Sequence, residues 1–307
     1  MKNKIFHSRR LRQVISLWTQ NRVWGRLVQS SVFLLLALLT SGCEPEQLYP
    51  QSLDYDLEIP KGFPPMIIPD DNALTSSRVE LGKLLFHDPV LSRDYTISCE
   101  SCHHQVNSFA EPRALSSGVG GRNGFRNAQA LINLGWNHTF FRDGGVRTLE
   151  LQVLAPIADH NEMDFTLREA VERLKDIPGY VQLARLAYGR PMDPFVITRA
   201  IAAYERTLIS GNSPYDQYAF QGDSSALSPA EKRGMNLFYS PATSCSECHS
   251  GFNFTKFDFE NNGLYTIFAD TGRARVTLNP LDRGFFNVPT LRNIEVTGPY
   301  MHDGSVT

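Results

Sequence analysis

With 307 residues, 42% of them hydrophobic and 20% charged, the chain has the apolar content of a globular protein and room for two domains with cores of their own. Its first 42 residues hold seven cations and no acid, so a chain processed after them keeps 23 basic and 32 acidic residues, a formal charge of −9. That balance excludes nucleic acid as a partner and favours a neutral or modestly basic protein.

At the start, Lys2, Lys4, Arg9, Arg10, Arg12, Arg22 and Arg26 precede an apolar run over 32–39. The run is too short for a permanent membrane span, and the pattern is that of a signal peptide over 1–42. Thr40-Ser41-Gly42-Cys43 resembles a lipoprotein processing box, which makes Cys43 the expected acylated first residue and lipid anchor of an exported, periplasmic chain. An ordinary cleaved signal is the alternative, because Leu39 sits one place early. Pro45, Pro50, Pro60, Pro64, Pro65 and Pro69 mark 43–75 as a tether and lead-in strap with little regular structure.

Order is predicted from about Ser77, where Ser77 and Glu80 have the spacing of a capping box and Val79, Leu81, Leu84, Leu85 and Phe86 form a helical apolar face. Further helices are predicted over 167–175, 180–188 and 194–209, the last with Ile197, Ile201, Tyr204 and Leu208 on one side. The glycine, asparagine, proline and serine of 210–227 place a domain boundary there. Ser228-Pro229-Ala230-Glu231 then opens another capped helix, with Met235, Leu237 and Phe238 expected inside. No run of alternating strands is evident, so the predicted class is mainly α.

Two motifs carry the chemistry, Cys99-Glu100-Ser101-Cys102-His103 and Cys245-Ser246-Glu247-Cys248-His249. Two thiols three positions apart and an adjacent imidazole are what covalent haem c requires: the sulfurs add to the vinyl groups and the histidine binds iron. Zinc would need two such pairs converging on one ion, whereas these lie 146 residues apart, each with its own histidine. A thioredoxin-like pair would need a βαβ setting, and none is patterned here. With Cys43 in the leader and four cysteines on haem, no thiol remains for a disulfide.

The chain also repeats itself. Gly82-x-x-Leu85-Phe86 matches Gly234-x-x-Leu237-Phe238, and Asn127-x-x-x-Leu131-x-Asn133 matches Asn287-x-x-x-Leu291-x-Asn293. Asp143-Gly144 and Asp303-Gly304 follow in turn. The expectation is two tandem cytochrome c-like haem domains related by duplication, 76–221 and 222–307. The first copy continues through Gln152 and Glu162, while the second stops at Thr307, so it is expected to be incomplete and to lack an upper iron ligand.

Together with these motifs, Leu81-Gly82-Lys83-Leu84-Leu85-Phe86, Leu91-Ser92, Ile97-Ser98-Cys99, Arg126-Asn127-Ala128, Leu291-Arg292-Asn293-Ile294 and Thr297-Gly298-Pro299-Tyr300 resemble the bacterial di-haem cytochrome c peroxidases and the related methylamine-utilisation (MauG-type) enzymes. The resemblance implies an N-terminal haem that meets hydrogen peroxide and a C-terminal haem that takes electrons from a small cytochrome c or cupredoxin. It implies a homodimer as well. His103 and His249 become the proximal iron ligands. Gln152 and Glu162 fall on the family's distal glutamine and glutamate, Glu162 as acid/base and Gln152 to hold peroxide or a water. A calcium ion between the domains would draw on Asn127, Thr297 and Pro299.

Two positions depart from the family. Where classical members carry a histidine that caps the resting iron, this chain has Val119, which cannot bind iron; His104, His138 and His160 are the nearby substitutes. That change implies a first haem open at rest and favours the MauG-type alternative, in which the same oxidised haem acts on a protein or organic substrate. Where the family has a tryptophan before Asp-Gly, this chain has Arg142, which can pair with a haem propionate; Trp136 does not align and reads as core. A non-catalytic electron relay is the third reading.

Overall fold

In the computed structural model, which describes residues 52–307, the first helix, Ser76–His87, begins one residue before its predicted start. The signal over 1–42 and the anchor at Cys43 lie outside the described residues. Thr75 is the cap, its side chain accepting from the Arg78 amide. The expected capping box at Ser77 and Glu80 does not form, because Ser77 is buried with its hydroxyl on Ser52 Oγ. Val79, Leu81, Leu85 and Phe86 are buried as predicted, each worth roughly 1.5–3 kcal/mol, whereas Leu84 is 41% exposed.

This helix crosses Pro194–Arg206 closely: a Cβ on Gly82 would lie 1.8 Å from the Ala200 carbonyl oxygen. Only glycine fits at that crossing. The other predicted helices are present as Leu167–Leu174 and Pro178–Tyr188, and Ile197, Ile201, Tyr204 and Leu208 are all buried. Their apolar faces meet Phe109, Leu131, Ile132, Met163 and Phe165 from the intervening loops in one core. The strap before Ser76 is not loose, since Phe63, Asn72 and Leu74 are buried against this body.

Beyond Arg206, the segment read as a boundary contains a short helix, Pro214–Phe220, whose Asp216 is fully buried. Pro229–Phe238 follows with the predicted Ser228–Glu231 capping box. Its expected inward face is a correction: Met235, Leu237 and Phe238 are not buried, Leu237 being 58% exposed. Phe238 meets Phe254 at its edge, and Gly234, the counterpart of Gly82, has open space where a Cβ would be. The strands among the described residues are Phe259–Glu260 and Phe286–Asn287, an antiparallel pair. No helix among these residues is long and apolar enough to cross a membrane.

The matched sequence segments also share local geometry. Bridges join Phe140 to Val146 and Tyr300 to Val306. Asp143 Oδ1 accepts from the Gly145 amide at 3.0 Å, and Asp303 Oδ1 accepts from the Ser305 amide at 3.1 Å. Asn133 and Asn293 both adopt left-handed backbone, with φ 59° and 56°.

Candidate active site

The first motif folds as a single 3-10 turn, Cys99–Ser101, held by the Ser98 amide on Ser101 Oγ at 3.0 Å and by the His103 amide on the Cys99 carbonyl at 3.0 Å. The His103 ring nitrogen Nδ1 lies 2.8 Å from the Phe109 carbonyl oxygen. A carbonyl can only accept, so Nδ1 carries the proton and Nε2 keeps its lone pair for a metal. Burial lowers the His103 pKa, which keeps the ring neutral as ligation requires. Burial pushes the Cys102 thiol up to about 11, with Glu111 adding to the effect, and raises Cys99 further.

The second motif repeats the device. Cys245–Glu247 is a 3-10 turn, the His249 amide donates to the Cys245 carbonyl at 2.9 Å, and Nδ1 donates to the Phe254 carbonyl at 3.0 Å. Phe109 and Phe254, the two accepting residues, both stand in left-handed backbone, φ 58° and 49°. Bulky residues rarely adopt that conformation, and here it turns each carbonyl towards its imidazole.

Arg292 anchors the second loop from behind. It forms a two-pronged pair with Asp216, 2.9 Å from Nη1 to Oδ2 and 2.8 Å from Nη2 to Oδ1, and its Nε donates to the Phe252 carbonyl at 2.9 Å. Both side chains are buried, and the guanidinium lies 4.6 Å over the Phe63 ring.

Both motifs line one cavity of about 1190 Å³, larger than a usual small-molecule pocket. Glu162 and Gln152 line it with Cys99, Cys102 and His103, so the two residues assigned by resemblance stand in the same space as the first motif. The accessible Glu162 side chain stands in this open cavity; desolvation there, then Asp159, pushes its carboxyl up to about 7. Its backbone is set by the glycine loop: Val119 donates its amide to the Glu162 carbonyl at 2.8 Å, and a Cβ on Gly118 would lie 2.4 Å from that oxygen. Val119 itself is buried and does not line the cavity.

None of His104, His138 and His160 lines the cavity; His160 is bound to Asp164 at 3.1 Å, and His138 packs against Phe257. Trp136 is buried between Phe63 and Phe252, a core position as expected. Arg142, Asn127, Thr297, Pro299, Met301 and His302 line the part of the wall contributed by the matched Asp-Gly segments. Met301 Sδ accepts from Asn262 Nδ2 at 3.3 Å, and His302 stacks on Phe286 at 4.1 Å.

Sequence reasoning missed two acids. Glu205 lines the cavity, fully enclosed, with burial pushing its carboxyl up to about 8 against the pull of Arg206. Its Oε2, like that of buried Glu111, has no hydrogen-bond partner among the described residues. The signal was present for Glu205: it stands four positions after Ile201 on the apolar face of a helix, where an acid has no business unless something polar faces it.

Two thiol pairs, each beside an imidazole whose Nδ1 is held by a backbone carbonyl, and a cavity spanning both form a donor set that fits haem. Such a site on a mainly helical frame defines a haem-dependent oxidoreductase. A family model described as "Di-haem cytochrome c peroxidase" matches residues 76–225. Methylamine utilization protein MauG of Methylorubrum extorquens is 38% identical over 242 residues, covering 78% of this chain and 68% of that protein. Cytochrome c551 peroxidase of Pseudomonas aeruginosa is 33% identical over 283 residues, 89% of this chain and 80% of that one. The crystal structure of a MauG-like protein associated with microbial copper homeostasis superposes with TM-score 0.78 at 33% identity, covering 82% of this chain and 79% of that chain. The chain belongs to the di-haem cytochrome c peroxidase family, and it is an enzyme of that type.

Proposed function

We propose that the chain reduces hydrogen peroxide to water, one H2O2 taking up two electrons and two protons to give two waters. Cys99 and Cys102 would hold the haem of the reacting site covalently, and His103 would supply its protein nitrogen ligand. Cys245, Cys248 and His249 would hold a second haem, which would supply the route for electrons from a small cytochrome c or cupredoxin. The thiols are free of disulfides, which supports this attachment. The matched bridges and Asp-Gly turns support two tandem domains, 76–221 and 222–307. Export behind the 1–42 signal, a lipid anchor at Cys43, a periplasmic location and a homodimer complete the proposal.

One observation carries the catalytic part: a carboxyl with a pKa near neutrality, Glu162, faces the cavity of His103, and none of His104, His138 and His160 lines it. The haem supplies the iron at which the O–O bond breaks. Glu162 takes the proton from the near oxygen of H2O2 and returns it to the far one, so that water leaves. Gln152, with an amide that both donates and accepts, holds the peroxide in line.

Only the carboxylate form can take that proton. Peroxide reduction is therefore expected to slow about tenfold per pH unit below about 7 and to level off above it. Stopped-flow mixing of the haem-loaded enzyme with peroxide from pH 5 to 9 checks this, and a flat profile removes Glu162 from the proton path. Val119 favours a second reading, the MauG-type one, in which the oxidising power is spent on a protein or organic substrate. Rapid turnover with reduced cytochrome c supports the peroxidase; oxidation by peroxide without turnover of any small donor supports the second reading.

A further inference from the structure

The calcium ion that the resemblance implies draws on the side-chain oxygen of Asn127, and in this structure that oxygen is already engaged. Arg142 Nη2 donates to Asn127 Oδ1 at 2.7 Å, and Nε and Nη2 both donate to the Asn127 carbonyl at 3.2 Å. The remaining polar groups of Asn127 are committed too: Nδ2 donates to the Arg113 carbonyl at 2.9 Å and the amide to the His302 carbonyl at 2.9 Å. Thr297 and Pro299 line the same cavity wall as Asn127 and Arg142.

A calcium ion gathers about six to eight oxygens, usually with carboxylates among them. The acids in and around this wall are engaged, Glu260 of its lining with Lys256. Asp143 binds Arg126 Nη1 at 2.8 Å and lies 3.6 Å from Arg275, Asp270 pairs with Arg126 in two-pronged fashion, and Asp303 accepts from the Tyr265 hydroxyl. No cluster of three or more His, Cys, Asp or Glu able to hold a metal occurs among the described residues. Arg126 and Arg275 face these acids, while Arg142 donates to Asn127 and Arg273 to the Asp143 carbonyl, so four guanidiniums already gather on the oxygens of this region.

We propose that Arg142 is a resident cation standing in the place of the calcium ion, so that this enzyme joins its two haem-bearing segments without a metal. The same residue ties both segments through its backbone, since its carbonyl accepts from the Asn287 amide at 2.7 Å while its side chain holds Asn127. The change of one residue, at the position where the resemblance places tryptophan, both removes the indole and adds a fixed charge. A divalent ion beside that charge would meet direct repulsion and lose its asparagine ligand.

The test reads metal binding and stability, apart from peroxide turnover. The haem-loaded wild-type enzyme is dialysed against a calcium chelator, its calcium content is measured, and calcium chloride is titrated calorimetrically. No stoichiometric calcium, no saturable heat and an unchanged melting temperature are expected. Arg142→Gln frees Asn127 and removes the charge; it is expected to take up one calcium per chain, with a melting temperature that rises with calcium concentration. Wild-type enzyme that retains one calcium per chain, or that loses stability on chelation, overturns the proposal. So does Arg142→Gln that folds with its haems and binds no calcium. The wild-type titration stands on its own should that variant fail to fold.

Discussion

Glu162→Gln is expected to slow the reaction with peroxide by about 10²–10⁴-fold while both haems stay bound. The substitution keeps the shape of the side chain and its place in the cavity beside His103, and removes only the capacity to accept a proton. The Glu162 backbone contact with Val119 is untouched, as is the His103 hydrogen bond to Phe109. Haem content measured from the absorption spectrum should therefore match the wild type, and the fall in rate below neutral pH should vanish with the carboxylate. Unchanged stopped-flow kinetics would sink the assignment of Glu162.

Arg292→Met is expected to cost about 3–5 kcal/mol of stability, because Asp216 would be left buried and uncompensated. Burial alone would raise the Asp216 pKa, but the Arg292 and Ser213 hydrogen bonds hold it below the ordinary value. The sign follows: a depressed folded-state pKa contributes stability that is present above the unfolded value and lost as pH falls through the folded one. Urea unfolding at neutral pH should show the full loss, and near pH 3 much less of it. Replacing both partners with apolar residues should recover a good part. A loss under about 1 kcal/mol at neutral pH would place this pair among inconsequential ones.

Both results concern residues of unequal visibility in the sequence. The two Cys-x-x-Cys-His motifs stand out in the sequence, since they are local: thiols and imidazole within five positions, repeated once. The first-half helices were legible from apolar spacing, though the true cap, Thr75, stood two residues before the one predicted because Ser77 is drawn to Ser52. Leu84 and Leu237 follow the same periodicity as their neighbours yet remain exposed, since periodicity marks a face and not what covers it. Glu162 and Gln152 could be named only by resemblance; each reaches the cavity from a segment whose placement depends on distant contacts. The pairing of Arg292 with Asp216 spans 76 positions and leaves no local trace. Arg142 was visible as a departure, but its partner, Asn127, emerges only when the folded loops bring the two together.

The central claim is that this polypeptide carries two covalently bound haems, one at each Cys-x-x-Cys-His segment. Intact-protein mass spectrometry of the enzyme matured in a host with cytochrome c assembly machinery tests it directly. A mass raised by two haems, falling to one when Cys245 and Cys248 are both replaced by alanine, is the predicted result; a wild-type chain carrying one haem or none would contradict it.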